Sequence, residues 1–301
     1  MIGTKSRDTL AESITDAHAL APASARPGVF RALLAHRTGV AGLVIVAGVA
    51  LIAIAAPLIA PDDPTRVDAL RRLAPPSAET LLGTDNLGRD ILSRLIWGAR
   101  LSLGTAGLAA VLILTIGVGL GMVAGFYGGL LDDLLMRIVD VLLAFPALIL
   151  ALAIAGVLGP SITSVMIGIV AVAWADYARV MRGQVLSARE RQYVEAARAI
   201  GAGNTRILAR HLLPNVLPPI LVLASLEMGG LILAISGLSF LGLGAQPPTP
   251  EWGAMLNDGR AFIAAAPQLM IYPGLSISIV VVGFNLLGDG LRDAFDPHLR
   301  I

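Results

Sequence analysis

The chain alternates long apolar runs with short polar segments. Six runs approach or exceed the roughly 20 residues that a helix needs to cross a bilayer's hydrocarbon layer. They fall at residues 40–60, 101–126, 139–158, 162–175, 216–243 and 270–287. The fourth run is short and is expected to extend to Tyr177 and beyond, with Gly159 and Pro160 making a tight connection to the third. The pattern predicts an all-α, polytopic membrane protein with six transmembrane helices.

Composition agrees. The chain is 56% hydrophobic and only 14% charged, against about 25% charged in a soluble domain. Net charge is +1, which gives no basic face for nucleic acid. Cysteine is absent, so disulfides, thiolate metal sites and cysteine nucleophiles are excluded. Residues 1–38 are rich in Ala, Ser and charge without a period, and read as a disordered cytoplasmic tail. A cleaved signal peptide would normally occupy the first 15–30 or so residues. Here the first apolar run begins only near Val40.

Arginine and lysine set the orientation, because cytoplasmic loops carry an excess of them. With both termini inside, 15 of the 22 basic residues are cytoplasmic; they include Arg137, Arg292, Arg300, five in the tail and seven between Asp176 and Pro214. The other seven, Arg66, Arg71, Arg72, Arg89, Arg94, Arg100 and Arg260, fall outside. The expected layout is a tail (1–38), a first transmembrane helix (39–60) and a periplasmic segment with an interfacial helix (61–100). A core transmembrane domain follows (101–290), carrying a cytoplasmic loop at 177–215, and then a short cytoplasmic C-terminal tail (291–301).

Within the spans, Gly117, Gly121 and Gly125 recur every four residues, a ladder that lets two helix backbones approach closely. Glu227 lies inside the fifth run. An acid at the bilayer centre costs about 2.5–3.5 kcal/mol on insertion scales, so it is expected to face protein or water, lining a pathway or bonding a partner helix. Asp140 is expected to cap the third span or to pair with Arg137. Outside, Thr84 or Asp85 can cap a helix. Ile91, Leu92, Leu95 and Ile96 form its apolar face, Asp90 pairs with Arg94 at i, i+4, and Trp97 sits at interface depth. This reads either as an interfacial anchor or as a contact with a partner protein. Trp252 reads as a second interface anchor.

The segment YVEAARAIGAGNTRILARHLLPN at residues 193–215 is polar and sharply punctuated. Glu195 opens a helical run, where an acid complements the N-terminal dipole. Ala196 and Ala197 are small, Gly201 and Gly203 break the run, and a second helix over 205–212 is expected to end at Pro214. Two short helices at a Gly elbow can transmit force. A basic amphipathic helix resting on lipid headgroups is the other reading.

Glu195, Ala196, Ala197, Gly201, Leu213 and Pro214 match at fixed spacing the EAA loop of permeases of binding-protein-dependent ABC importers, with His211 where that pattern has Ile. Three further stretches narrow the resemblance: Gly83-Thr84-Asp85-Asn86-Leu87-Gly88-Arg89-Asp90; the LSFLG and PPTPEWG stretches around Phe240 and Trp252; and the GDGLRDAFDP end. Together they resemble the C-type permeases of the dipeptide, oligopeptide and nickel importer group. The resemblance implies a type I importer permease fold of six spans, a second (B-type) permease, two ATP-binding-cassette ATPase subunits, and a periplasmic or extracellular solute-binding protein. It also implies that residues 195–201 form the coupling helix that seats in an ATPase cleft.

The chain carries no G-x-x-x-x-G-K-[ST] phosphate loop, so ATP and magnesium are expected on partner subunits. No metal site or cofactor of its own is expected. His18, His36, His211 and His298 all fall in expected cytoplasmic segments, which argues against a dedicated metal path. The uncharged Ile235-Ser236-Gly237 stretch, however, looks like that of nickel-type permeases, so peptide and nickel both remain as cargo, with peptide ahead. A stand-alone secondary transporter would show an inverted repeat and several mid-span ionisable groups. An intramembrane enzyme would need an activating group beside Ser239. Neither pattern is present.

Overall fold

The computed structural model describes residues 33, 34 and 36–295. The expected N-terminal tail lies outside the described residues but for its last few, and the C-terminal tail but for 291–295. Among the described residues the architecture is all-helical. Five helices are long and apolar enough to cross a membrane: α1 (Arg37–Ile59), α2 (Ile91–Tyr127), α5 (Ile162–Ala188), α7 (Asn204–Phe240) and α9 (Gln268–Phe295). Between α2 and α5 lie α3 (Gly129–Leu143) and α4 (Ala147–Leu158). Short helices α6 (Gln192–Ala199) and α8 (Trp252–Gly259) fall in the connections.

The expected third span is not one helix. α3 and α4 meet at 89° and make a sixth span only if counted together. Pro146 is the cause. It lacks the N–H that would continue the ladder and restricts Phe145, while its own carbonyl accepts from Ile149 and Leu150 to start α4. α3 instead uses its apolar residues on one side, leaving Leu130, Leu134 and Val141 exposed.

The interfacial helix is also not separate. Its residues are the first turns of α2, which runs unbroken for 37 residues. At 1.5 Å per residue that is about 55 Å, longer than a hydrocarbon core of about 30 Å, so the turns carrying Arg94 and Arg100 project beyond it. α2 starts where Asp90 Oδ2 accepts from the Ser93 N–H at 2.7 Å; neither Thr84 nor Asp85 caps it.

The second helix of the polar segment does not stop at Pro214. It passes through a wide π turn at Ile207–Leu212 into the long apolar helix. Before Pro214 the Leu213 N–H reaches back to Leu208 O, five residues away. The widened turn lets the chain pass the missing proline donor without breaking.

α2 and α5 pack most extensively, and the glycine ladder is their seam. A Cβ on Gly117 would lie 2.6 Å from Tyr177 Cβ, one on Gly121 2.8 Å from Met181 Cβ, and one on Gly125 2.9 Å from Arg182 O. A second crossing of small residues holds α1 to α9, where a Cβ on Gly283 would lie 2.6 Å from Ile45 Cγ2. Replacing Gly121 by Leu overpacks the first seam, and overpacking costs typically 1–3 kcal/mol or more. The expected outcome is a lowered melting temperature in detergent, while Gly104→Leu, at a position with open space, leaves it within a degree or two.

Candidate coupling segment, cavity and ion cluster

Helix α6 carries the first half of the polar segment. Arg191 in extended conformation precedes it and Glu195 falls in its first turn. Its end is a Schellman turn: Gly201 N–H bonds Arg198 O at 2.9 Å and Ala202 N–H bonds Ala197 O at 3.0 Å. That turn requires a left-handed residue at its centre, and Gly201 has φ +79°. The Gly elbow is therefore a backbone requirement. Val194 and Ala197 are buried in the core, while Glu195, Ala196 and Gly201 are exposed. Ile200, beside the elbow, is 84% exposed. Only one of the two alanines thus points outward. Leu213 is half-buried and Pro214 exposed, in the first turn of the apolar part of α7.

Arginines fasten this segment to the helix bundle. Arg198 stacks over the Phe126 ring at 5.8 Å, and Arg189 Nη1 donates to Gly125 O at 2.9 Å. Both contacts grip the end of α2. Arg182 on α5 forms a two-pronged bond to Asp132 on α3, at 2.5 and 2.6 Å. Asp140 pairs with Arg179 rather than with Arg137. Four arginines of the polar segment and its approach, Arg179, Arg182, Arg189 and Arg198, are thus each bound to a neighbouring helix.

A cavity of about 630 Å³ lies between α2, α4, α5 and α7. Its walls are apolar except for Asp176, Tyr177 and Glu227. Glu227 therefore faces an open space shared by several helices, beside the Tyr177 hydroxyl, as an acid in a span must.

At the far end of the bundle, the stretch from Gly83 to Asp90 folds as a compact loop around a buried ion cluster. Asp85 Oδ1 accepts from the backbone N–H groups of Leu87 and Arg89 at 2.8 and 3.0 Å. Its Oδ2 pairs with Arg89 Nε at 2.6 Å and with Arg94 Nε at 3.5 Å. Both arginines also reach Asp258 on α8 at 3.3 Å. Arg89 and Arg94 are only 1% and 2% exposed, so the two carboxylates are what makes their burial tolerable. The expected Asp90–Arg94 pair is absent: Asp90 Oδ2 caps α2, while Arg94 turns to Asp85 and Asp258. Thr84 accepts from Ala74 N–H at 2.9 Å. Gly83 and Gly88 both take φ +79°, and a Cβ on Gly88 would overlap the Asp68 carbonyl.

Trp252 is not an interface anchor. It is 2% exposed, lies against Gly98 and donates its indole N–H to Leu95 O at 3.0 Å. Beside it the fully buried Glu251 caps α8, accepting from Gly253 and Ala254 N–H at 3.0 and 2.8 Å and from the Ser102 hydroxyl at 3.1 Å. Burial pushes the Glu251 carboxyl above its ordinary range, with the two N–H bonds opposing.

Comparison with known proteins decides what this arrangement belongs to. Residues 117–301 match the family described as binding-protein-dependent transport system inner membrane component, and residues 28–76 match the N-terminal transmembrane domain of oligopeptide transport permease C. The chain belongs to this family of ABC importer permeases. It is 46% identical over 271 residues to a dipeptide transport system permease protein of Alkalihalophilus pseudofirmus, covering 90% of this chain and 89% of that one. It is 47% identical over 257 residues to a nickel transport system permease protein of Escherichia coli K12, covering 85% and 93%. A glutathione transport system permease protein of Pectobacterium atrosepticum is 44% identical over 271 residues, covering 90% of each.

Several residues of the permease's ion-pair and capping framework were not singled out by the sequence. Asp132, Arg182, Asp258 and Glu251 bind across at least 50 residues or cap a helix not foreseen. Only the placement of charged residues beside apolar runs could have flagged them. The buried tryptophan gives a direct check. Trp252→Ala should cost about 3–5 kcal/mol, as for other large-to-small core changes, read as a large drop in melting temperature. An exposed anchor would leave it nearly unchanged.

Proposed function

We propose that this permease moves di- or oligopeptides across the bacterial inner membrane, with both termini cytoplasmic. It shares the pathway with a second, B-type permease and takes cargo from an external solute-binding protein. Two ATPase subunits supply the energy, one of them docking on α6. The observation that carries the coupling role is the exposed ridge of Glu195, Ala196, Ile200 and Gly201 at a turn whose other side is locked into the bundle. A rigid, partly apolar protrusion suits a cleft in another protein better than a lipid surface, where its apolar residues would form a longer stripe. ATP would close the ATPase pair and bias the permeases between inward- and outward-facing states by binding one better than the other. The cavity with Glu227 is the proposed pathway section within this chain.

Peptide cargo is supported by the dipeptide and glutathione relatives. The nickel relative keeps nickel as the alternative cargo. Ile235 and Ser236 are 1% and 4% exposed, and Ser236 backbone lies where a Cβ on Gly253 would sit. The uncharged stretch therefore also serves helix packing.

Gly201→Trp tests the coupling role. Its left-handed φ makes any side chain strained at about 1–2 kcal/mol, yet a Cβ there meets nothing within 4 Å, so the chain should still fold. In proteoliposomes holding the whole importer, uptake per ATP hydrolysed should fall at least several-fold, or the ATPase subunits should no longer co-purify. Normal coupled uptake would return the segment to a membrane-surface role. For cargo, mass spectrometry and metal analysis of ligand carried by the solute-binding partner should find peptide; nickel alone would overturn the peptide assignment.

A further inference from the structure

α3 is too short to span, yet it begins with a buried acid. Asp132 is 7% exposed and sits in the first turn of α3. Both of its oxygens are taken by Arg182. A two-pronged carboxylate–guanidinium bond fixes orientation as well as distance. Arg179, one turn earlier on α5, holds Asp140 near the other end of α3. α3 is therefore fastened to α5 at two points.

Each end of this arrangement leads somewhere. α5 runs to Ala188 and, after three residues, becomes α6. α3 turns through 89° at Pro146 into α4, whose Ala147, Leu148 and Ala151 line the cavity. α4 in turn lies on α5 where Gly168 would place a Cβ 2.6 Å from Ala151 O. Side-chain packing alone lets helices slide past one another. A bidentate ion pair at the outer arm of a bent pair makes the arm follow α5 as a lever.

We infer that Asp132 and Arg182 are positioning residues for transport: they join the α5–α6 unit to the α3–α4 elbow, so that displacement of α6 is delivered to the cavity wall. The inference rests on α6 being the ATPase-coupling segment. A pair that served only to hold the fold would affect assembly and turnover alike. A joint affects their ratio.

The complete importer, reconstituted in proteoliposomes with its solute-binding protein, is assayed for ATP hydrolysis and uptake. Asp132→Asn keeps the size of the side chain and removes its charge. The expected result is an assembled complex that hydrolyses ATP, with uptake per ATP reduced at least five-fold. The exchange Asp132→Arg with Arg182→Asp should recover part of that ratio. An unchanged ratio in Asp132→Asn overturns the inference, and so does a parallel loss of hydrolysis and uptake, which would make the pair a structural brace. Gly201→Trp in the same assay separates the two levels. If it uncouples while Asp132→Asn does not, only the joint fails. If neither uncouples, the coupling role of α6 fails with it.

Discussion

Backbone-to-backbone contact between α2 and α5 is the constraint on which the rest depends. Lipid offers no hydrophobic drive for helices to associate, so close packing of small residues has to supply the attraction. Gly117, Gly121 and Gly125 let α5 lie directly on α2. That contact sets the height of Arg182 on α5, and of Arg189 just past its end, relative to α3 and to Gly125 O. It also leaves Phe126 at the end of α2, where Arg198 of α6 can stack on it. Without the seam, none of these polar contacts would have its partner in reach.

The two ends of the bundle solve different problems with charge. At the end bearing Gly83–Asp90, arginines are buried and share two carboxylates, a rigid knot joining the 61–90 segment, α2 and α8. At the other end, arginines are partly exposed and each links two helices. A buried cluster is costly to break, because any unpaired partner stays in a low dielectric. The second end, where the proposed ATPase contact lies, is held by pairs that each join two neighbouring elements rather than by one shared cluster.

Much of this was legible in the sequence. Five of the apolar runs overlap the five long apolar helices, because crossing lipid imposes a length. The glycine ladder announced its seam through a four-residue spacing. The EAA pattern marked α6, and the backbone explains its glycine through a Schellman turn. What could not be read is what depends on distant partners. Arg94 looked like a helix-surface partner for Asp90, but Asp90 was needed as a cap and Arg94 found Asp258, 164 residues away. Trp252 looked like an anchor because tryptophan is common at membrane interfaces, and only the gap opposite Gly98 shows why it is buried. Uninterrupted hydrophobicity on both sides of Pro146 disguised how sharp its bend is.

The central claim is that the exposed side of α6 meets an ATPase subunit. The chain has no cysteine of its own, so Ala196→Cys carries a photoreactive maleimide at one known place. In membranes holding the whole importer, illumination should yield an adduct containing an ATPase subunit. The same label at Leu81→Cys, 61% exposed at the other end of the bundle, should yield none. Adducts of Ala196→Cys to lipid alone, or equal ATPase labelling from both positions, would contradict the account.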